Sequence, residues 1–65
     1  MKTNMNDIEK NEIRVLLADD QPAILAGMQS WLKNKPNITV IETAARHDEV
    51  LYFARLLKPD VIVLD

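Results

Sequence analysis

The chain has 65 residues, 48% of them apolar, 28% charged and none cysteine, with a net charge of -2. That is enough for one small domain at most, and the mild negative charge gives no footprint of nucleic-acid binding. The missing cysteines exclude disulfides, thiolate metal sites and cysteine nucleophiles together.

Residues 1–12, "MKTNMNDIEKNE", hold only Met1, Met5 and Ile8 as apolar residues and show no periodicity. A polar, mobile leader is expected there, with the folded unit over 13–65. "IRVLLA" (13–18) is a near-continuous apolar run with one interruption, Arg14. Such a run suits a strand covered on both faces, as in a parallel sheet. "DDQP" breaks it: Asp20 or Gln21 can cap a helix, and Pro22 suits the first helical turn. From Pro22 to about Lys33, Ile24, Met28, Trp31 and Leu32 follow helical spacing. Gly27 inside this helix costs about 1 kcal/mol relative to Ala, unless close packing requires it. Asn34 to Asn37, with Pro36 among them, turn the chain.

"ITVIET" (38–43) is rich in β-branched residues and predicts a second strand. "AARHDE" is read as a connection. Val50, Leu51, Ala54 and Leu57 mark a second amphipathic helix, ending at Lys58 before Pro59. "VIVL" (61–64) is the third strand. Strand, helix, strand, helix, strand with short connections predicts an α/β fold. Its sheet is parallel, with right-handed crossovers and a helix on either face.

Acids sit where two strands end. Asp19 and Asp20 follow the first strand, and Asp65 follows the third. In open parallel sheets, ligand sites form beyond the carboxyl ends of the strands, where strand order reverses. If the order is 2-1-3, the three carboxylates converge. Two carboxylates ~5 Å apart, at an effective dielectric of about 20, repel by roughly 3 kcal/mol. Such a cluster needs a cation or raised pKa values to persist. All-oxygen, hard ligands favour Mg2+, and a carboxylate beside that cation can act as nucleophile toward a phosphoryl group. Taken singly, an Asp at a strand end is a cap or turn residue; the combination is what carries the reading.

"IRVLLADDQPAILAGMQSWL" followed by "KPDVIVLD" resembles the first part of a two-component response-regulator receiver domain. More narrowly, it resembles receivers joined to LuxR-type (NarL/FixJ-like) helix-turn-helix domains. The resemblance covers residues 13–65. It implies a flavodoxin-like fold, the class for which order 2-1-3-4-5 is general. It also implies Asp65 as phosphoacceptor, with Asp19, Asp20 and Asp65 holding Mg2+. Pro22 and Gly27 match the family's first helix, and Pro59 and Asp60 its turn before the phosphoacceptor strand. Gln21, Leu25, Arg46 and His47 depart from common family residues. The partners implied are a sensor histidine kinase as phosphodonor and DNA, the latter only through a helix-turn-helix domain that would lie beyond Asp65. The complete form is expected to be able to dimerise.

The family's remaining active-site residues would also lie beyond Asp65. The expectation is therefore a receiver truncated after its third strand, not an enzyme in its own right and unable to complete the phosphorylation cycle alone. Its third strand would be an exposed apolar edge. A fragment of a Mg2+-dependent phosphohydrolase or nuclease is the alternative, although haloacid-dehalogenase-like phosphatases want Asp-x-Asp where these acids are adjacent. A flavodoxin-type nucleotide binder fits poorly, because two carboxylates stand where phosphate would meet the first helix. A truncated product without function is the remaining reading. Apolar runs of about four residues are too short for a membrane span, and no secretion signal opens the chain, so a cytoplasmic protein is expected. Trp31 and Phe53 are expected to pack in the core. His47, Arg46, Arg55, Lys33 and Lys35 are expected to be solvated.

Overall fold

The computed structural model describes residues 12–64. Asp65 and all of the expected leader except Glu12 lie outside the described residues. Five elements follow one another: β1 (Ile13–Ala18), α1 (Pro22–Leu32), β2 (Ile38–Ala44), α2 (His47–Leu57) and β3 (Val61–Leu64). The three strands form one parallel sheet in the order β2-β1-β3. This is the β-α-β-α-β succession expected for the first part of a flavodoxin-like fold.

β1 is central, which explains its composition. Val15, Leu16, Leu17 and Ala18 are all buried, whichever face of the strand they occupy. Leu16 and Ala18 share one face and form a core with Ala44 and Val50, against which Phe53 packs. Val50 and Phe53 come from α2, so α2 covers that face. Alternation puts Val15 and Leu17 on the other face. The first crossover runs toward β2 and the second toward β3, on opposite sides of β1. Two right-handed crossovers so arranged place α1 and α2 on opposite faces.

The β1–β2 ladder is interrupted. Ile13, Arg14 and Val15 pair with Ile38, Thr39 and Val40, but Leu16 pairs with Glu42, so Ile41 is an extra residue on β2. This bulge lets the longer β2 finish level with β1, Ala44 opposite Ala18. The β1–β3 ladder is regular, from Val15 opposite Val61 to Ala18 opposite Leu64.

Arg14, the one charged residue of β1, holds the far end of the sheet. Its backbone N–H donates to the Asp60 carboxylate at 2.9 Å, and its Nη1 donates to the Lys58 carbonyl at 2.9 Å. Lys58 closes α2 in the left-handed region, with φ of 50°. Glycine is the usual residue there, because a Cβ crowds the backbone. The guanidinium thus satisfies a carbonyl at the helix end where the chain turns through Pro59 into β3.

Several sequence expectations are corrected. β2 extends to Ala44, and α2 starts at His47 rather than near Val50. Carboxylates at the helix start explain the earlier beginning: Glu49 Oε1 accepts the N–H groups of Ala45 and Arg46, and Asp48 Oδ1 accepts that of Glu49. Trp31 is not in the core; it is 66% exposed. Leu25, Met28 and Leu32 are the half-buried residues of α1. At roughly 100° per residue, Trp31 sits about a quarter turn from their common direction. Its ring instead takes the Lys35 ammonium at 4.5 Å. Leu51, expected on the core face of α2, is 58% exposed. Gly27 is not demanded by packing: a Cβ there would meet nothing within 4 Å.

Candidate functional site

The carboxyl ends of parallel strands meet at one edge of the sheet, and a cleft of about 200 Å³ opens there. Ala18 with Asp19 and Asp20 form one wall, Leu64 another, and the residues leading into and opening α2 (Ala45, Arg46, His47, Val50) the third. The strand order is the one on which convergence depends: β1 and β3 are neighbours, and their last residues, Ala18 and Leu64, face each other.

Asp19 and Asp20 are adjacent in sequence but differ in setting. Asp19 is 7% exposed, the one polar side chain among the buried residues described. Its backbone N–H donates to the Ala44 carbonyl at 3.1 Å, fastening the end of β1 to that of β2. Its Oδ1 accepts the Gln21 N–H at 2.9 Å. That bond bends the chain two residues on, from strand into helix. Asp20 is exposed and lines the cleft.

α1 begins immediately after. Gln21 is its N-cap residue, with extended backbone, and its carbonyl accepts the N–H groups of Ile24 and Leu25. The Gln21 side chain makes no capping bond, and the first turn of α1 contains no acidic residue. The positive end of the helix dipole is therefore left to Asp19 and Asp20, whose charge it favours by roughly 0.3–1 kcal/mol.

The third wall carries cationic or titratable side chains, Arg46 and His47, which sequence reasoning treated as merely solvated. Their position was available as a signal: residues following β2 must emerge at the same sheet edge as the acids. Arg46 is committed elsewhere, its Nε and Nη2 pairing with the two Asp48 oxygens at 3.1 and 3.0 Å. His47 is the first residue of α2 and is exposed. Lys33, Lys35 and Lys58 do not line the cleft.

Two carboxylates with oxygen-only donors suit a hard cation. Mg2+ keeps several waters and takes one or two protein carboxylates, and Asp19 and Asp20 are the carboxylates that line this cleft. Among the described residues no group of three or more His, Cys, Asp or Glu side chains is assembled. Asp65, the third acid of the expected set, lies outside the described residues.

No family model and no solved structure matches the chain. Curated relatives do. The chain is 45% identical over 53 residues to a protein-glutamate methylesterase/protein-glutamine glutaminase of Methanospirillum hungatei, spanning 82% of this chain and 15% of that protein. It is 42% identical over 53 residues to the transcriptional regulatory protein LiaR of Bacillus subtilis, 82% of this chain and 25% of the relative. It is 35% identical over 51 residues to the nitrate/nitrite response regulator protein NarL of Escherichia coli, 78% of this chain and 24% of the relative. The chain thus spans about a quarter or less of the length of these relatives.

Proposed function

We infer function from one premise: the chain belongs to the receiver family of two-component response regulators. On that premise we propose that residues 13–65 form the phosphoacceptor part of a receiver, with Asp65 as the residue that takes the phosphoryl group. The observation that carries the reading is the pairing of Ala18 with Leu64 across neighbouring parallel strands. The next residues along the chain are Asp19 and Asp65.

In the proposed step an Asp65 carboxylate oxygen attacks the phosphorus of a phosphohistidine on a sensor kinase. A P–O bond forms, the P–N bond breaks, and the electron pair returns to the imidazole nitrogen, which takes a proton. Mg2+, held by Asp19, Asp20 and Asp65, would neutralise oxygen charge on the phosphoryl group. Asp19 is pinned by the Gln21 N–H and the Ala44 carbonyl, so its position is fixed before a ligand arrives. Asp20, exposed, can adjust to complete the set. Arg46 is neutralised by Asp48, and no lysine among the described residues lines the cleft. The phosphoryl charge therefore lacks a strong preorganised cationic partner among residues 12–64.

The matched segment occurs in transcriptional regulators and in methylesterases alike. The output of such proteins therefore lies outside the segment they share with this chain. We assign a transcriptional output, through a DNA-binding domain, on the likeness to LiaR and NarL, and an acceptor rather than an enzymatic role to this segment. No helix among the described residues is long and apolar enough to cross a membrane.

Incubation with Mg2+ and a small acyl phosphate, then borohydride trapping and peptide mass spectrometry, tests the assignment. Substoichiometric label on Asp65, lost in D65N and strongly reduced in D19N, is expected. Label on another carboxylate would overturn the proposal.

A further inference from the structure

The proposed transfer leaves one polar side chain of the cleft without a part. Among the lining residues, Asp19 and Asp20 can only accept hydrogen bonds when ionised, and Arg46 has its charge paired with Asp48. His47 lines the same cleft and is exposed, and its ring enters no hydrogen bond or ion pair among the described residues. An imidazole carries at least one N–H, whichever nitrogen holds it. The backbone does little to duplicate that donor. At the start of α2 the amides of Ala45, Arg46 and Glu49 are already taken by the Glu49 and Asp48 carboxylates. Those two acids also offset the positive end of the α2 dipole.

Topology sets where the ring stands. With β1 between them, the ends of β2 and β3 are two strand spacings apart, about 10 Å. His47 comes three residues after the last of β2, and Asp65 directly after Leu64, the last of β3. His47 and Leu64 nevertheless bound one cleft of about 200 Å³. Resting on the receiver assignment above, we propose that His47 donates a hydrogen bond to an oxygen of the phosphoryl group carried by Asp65. The acids and their cation meet that group from the side of β1, and the imidazole meets it from the side of α2. His47 thereby supplies part of the stabilisation that Arg46, neutralised by Asp48, does not. It is also a position at which the chain departs from common family residues, so the contact is a property of this chain and not of the machinery that receivers share.

His47 is the one histidine of the chain, so its ring signals in an NMR spectrum need no assignment. The full chain is incubated with Mg2+ and phosphoramidate, a small donor with a P–N bond, and label on Asp65 is followed by mass spectrometry beside the His47 ring Cε1–H resonance. A second ring signal is expected, its share equal to the labelled fraction, and absent from D65N under the same conditions. H47A should take label about fivefold more slowly, the worth of one hydrogen bond to a charged group at an open site. H47Q keeps an N–H donor and should recover most of that rate. Mn2+ affinity and the far-UV circular dichroism of both variants should match wild type, which separates a contact from a change in fold or cation site. If wild type takes no label on Asp65, the receiver assignment fails and this contact fails with it. If wild type is labelled but the ring signal does not divide, or H47A is labelled as fast, the assignment stands and the His47 contact is overturned. H47Q as slow as H47A, or a loss of Mn2+ affinity in H47A, overturns it equally.

Discussion

Asp19→Asn separates the charge of the cleft from its architecture. The amide keeps an oxygen at Oδ1, so the bond from the Gln21 N–H and the corner it holds survive. The negative charge beside Asp20 is removed. For carboxylates about 5 Å apart the repulsion is roughly 3 kcal/mol at an effective dielectric of 20. Asp20 is exposed, and solvent screening reduces this to about 1 kcal/mol. The helix dipole at the start of α1 offsets a few tenths more. Without divalent cation, D19N is therefore expected to be more stable than wild type by about 0.5–1 kcal/mol, a rise in Tm of about 2–8 °C for a domain of this size. With Mg2+ the order reverses. Wild type gains RT ln(1 + [Mg2+]/Kd), about 1.4 kcal/mol at ten times Kd, and D19N gains little. Thermal melts followed by circular dichroism, with chelator and with excess Mg2+, read both quantities. If D19N melts lower than wild type in chelator, or if Mg2+ raises both equally, the carboxylate pair is not the cation site and the reasoning fails.

Three further outcomes test the scaffold that positions the cleft. Gly27→Ala should stabilise the chain by up to about 1 kcal/mol, since a Cβ meets nothing within 4 Å and alanine is the better helix former; a lower urea midpoint would show that the glycine has a role in packing. Leu16→Ala empties a fully buried site in the centre of the sheet. At a cost of about 2–5 kcal/mol, against the roughly 3–5 kcal/mol that a core of this size supplies, it should abolish the cooperative transition. Arg14→Ala removes the donor to the Lys58 carbonyl and should speed amide hydrogen exchange at Asp60 and along β3 more than along β2; equal acceleration in both strands would show that Arg14 does not secure that corner.

The fold was legible because its signals are short in range. The apolar run of β1 marked a strand covered twice, and the alternation of strands with helical spacings left few topologies open. The candidate site was legible for the same reason: in a parallel sheet, the residues just past each strand emerge at one edge. Packing on the helices was not legible. Ile24, Met28, Trp31 and Leu32 fit a helical period, yet so do Leu25, Met28 and Leu32, and only the direction of approach to the sheet selects the latter. In α2, Leu51 and Leu57 both satisfied the pattern because that helix carries two apolar faces. The start of α2 was missed because its cap is reversed: Glu49 reaches back to the amides of Ala45 and Arg46 and Asp48 accepts the N–H of Glu49, while the Arg46 side chain at the cap position has no acceptor to offer. The bulge at Ile41 left no mark in the composition of β2.

Paramagnetic broadening by Mn2+ in place of Mg2+, followed in amide NMR spectra, tests the central claim most directly. A cation held between β1 and β3 should broaden Asp19, Asp20, Leu64 and Asp65 at substoichiometric Mn2+, with His47 next, and leave Arg14, Lys58 and Asp60 at the far end of the sheet sharp. Broadening that begins at Asp48, Glu49 or Asp60, or that leaves Leu64 and Asp65 sharp while Asp19 is lost, would contradict a single pocket shared by the ends of the two strands.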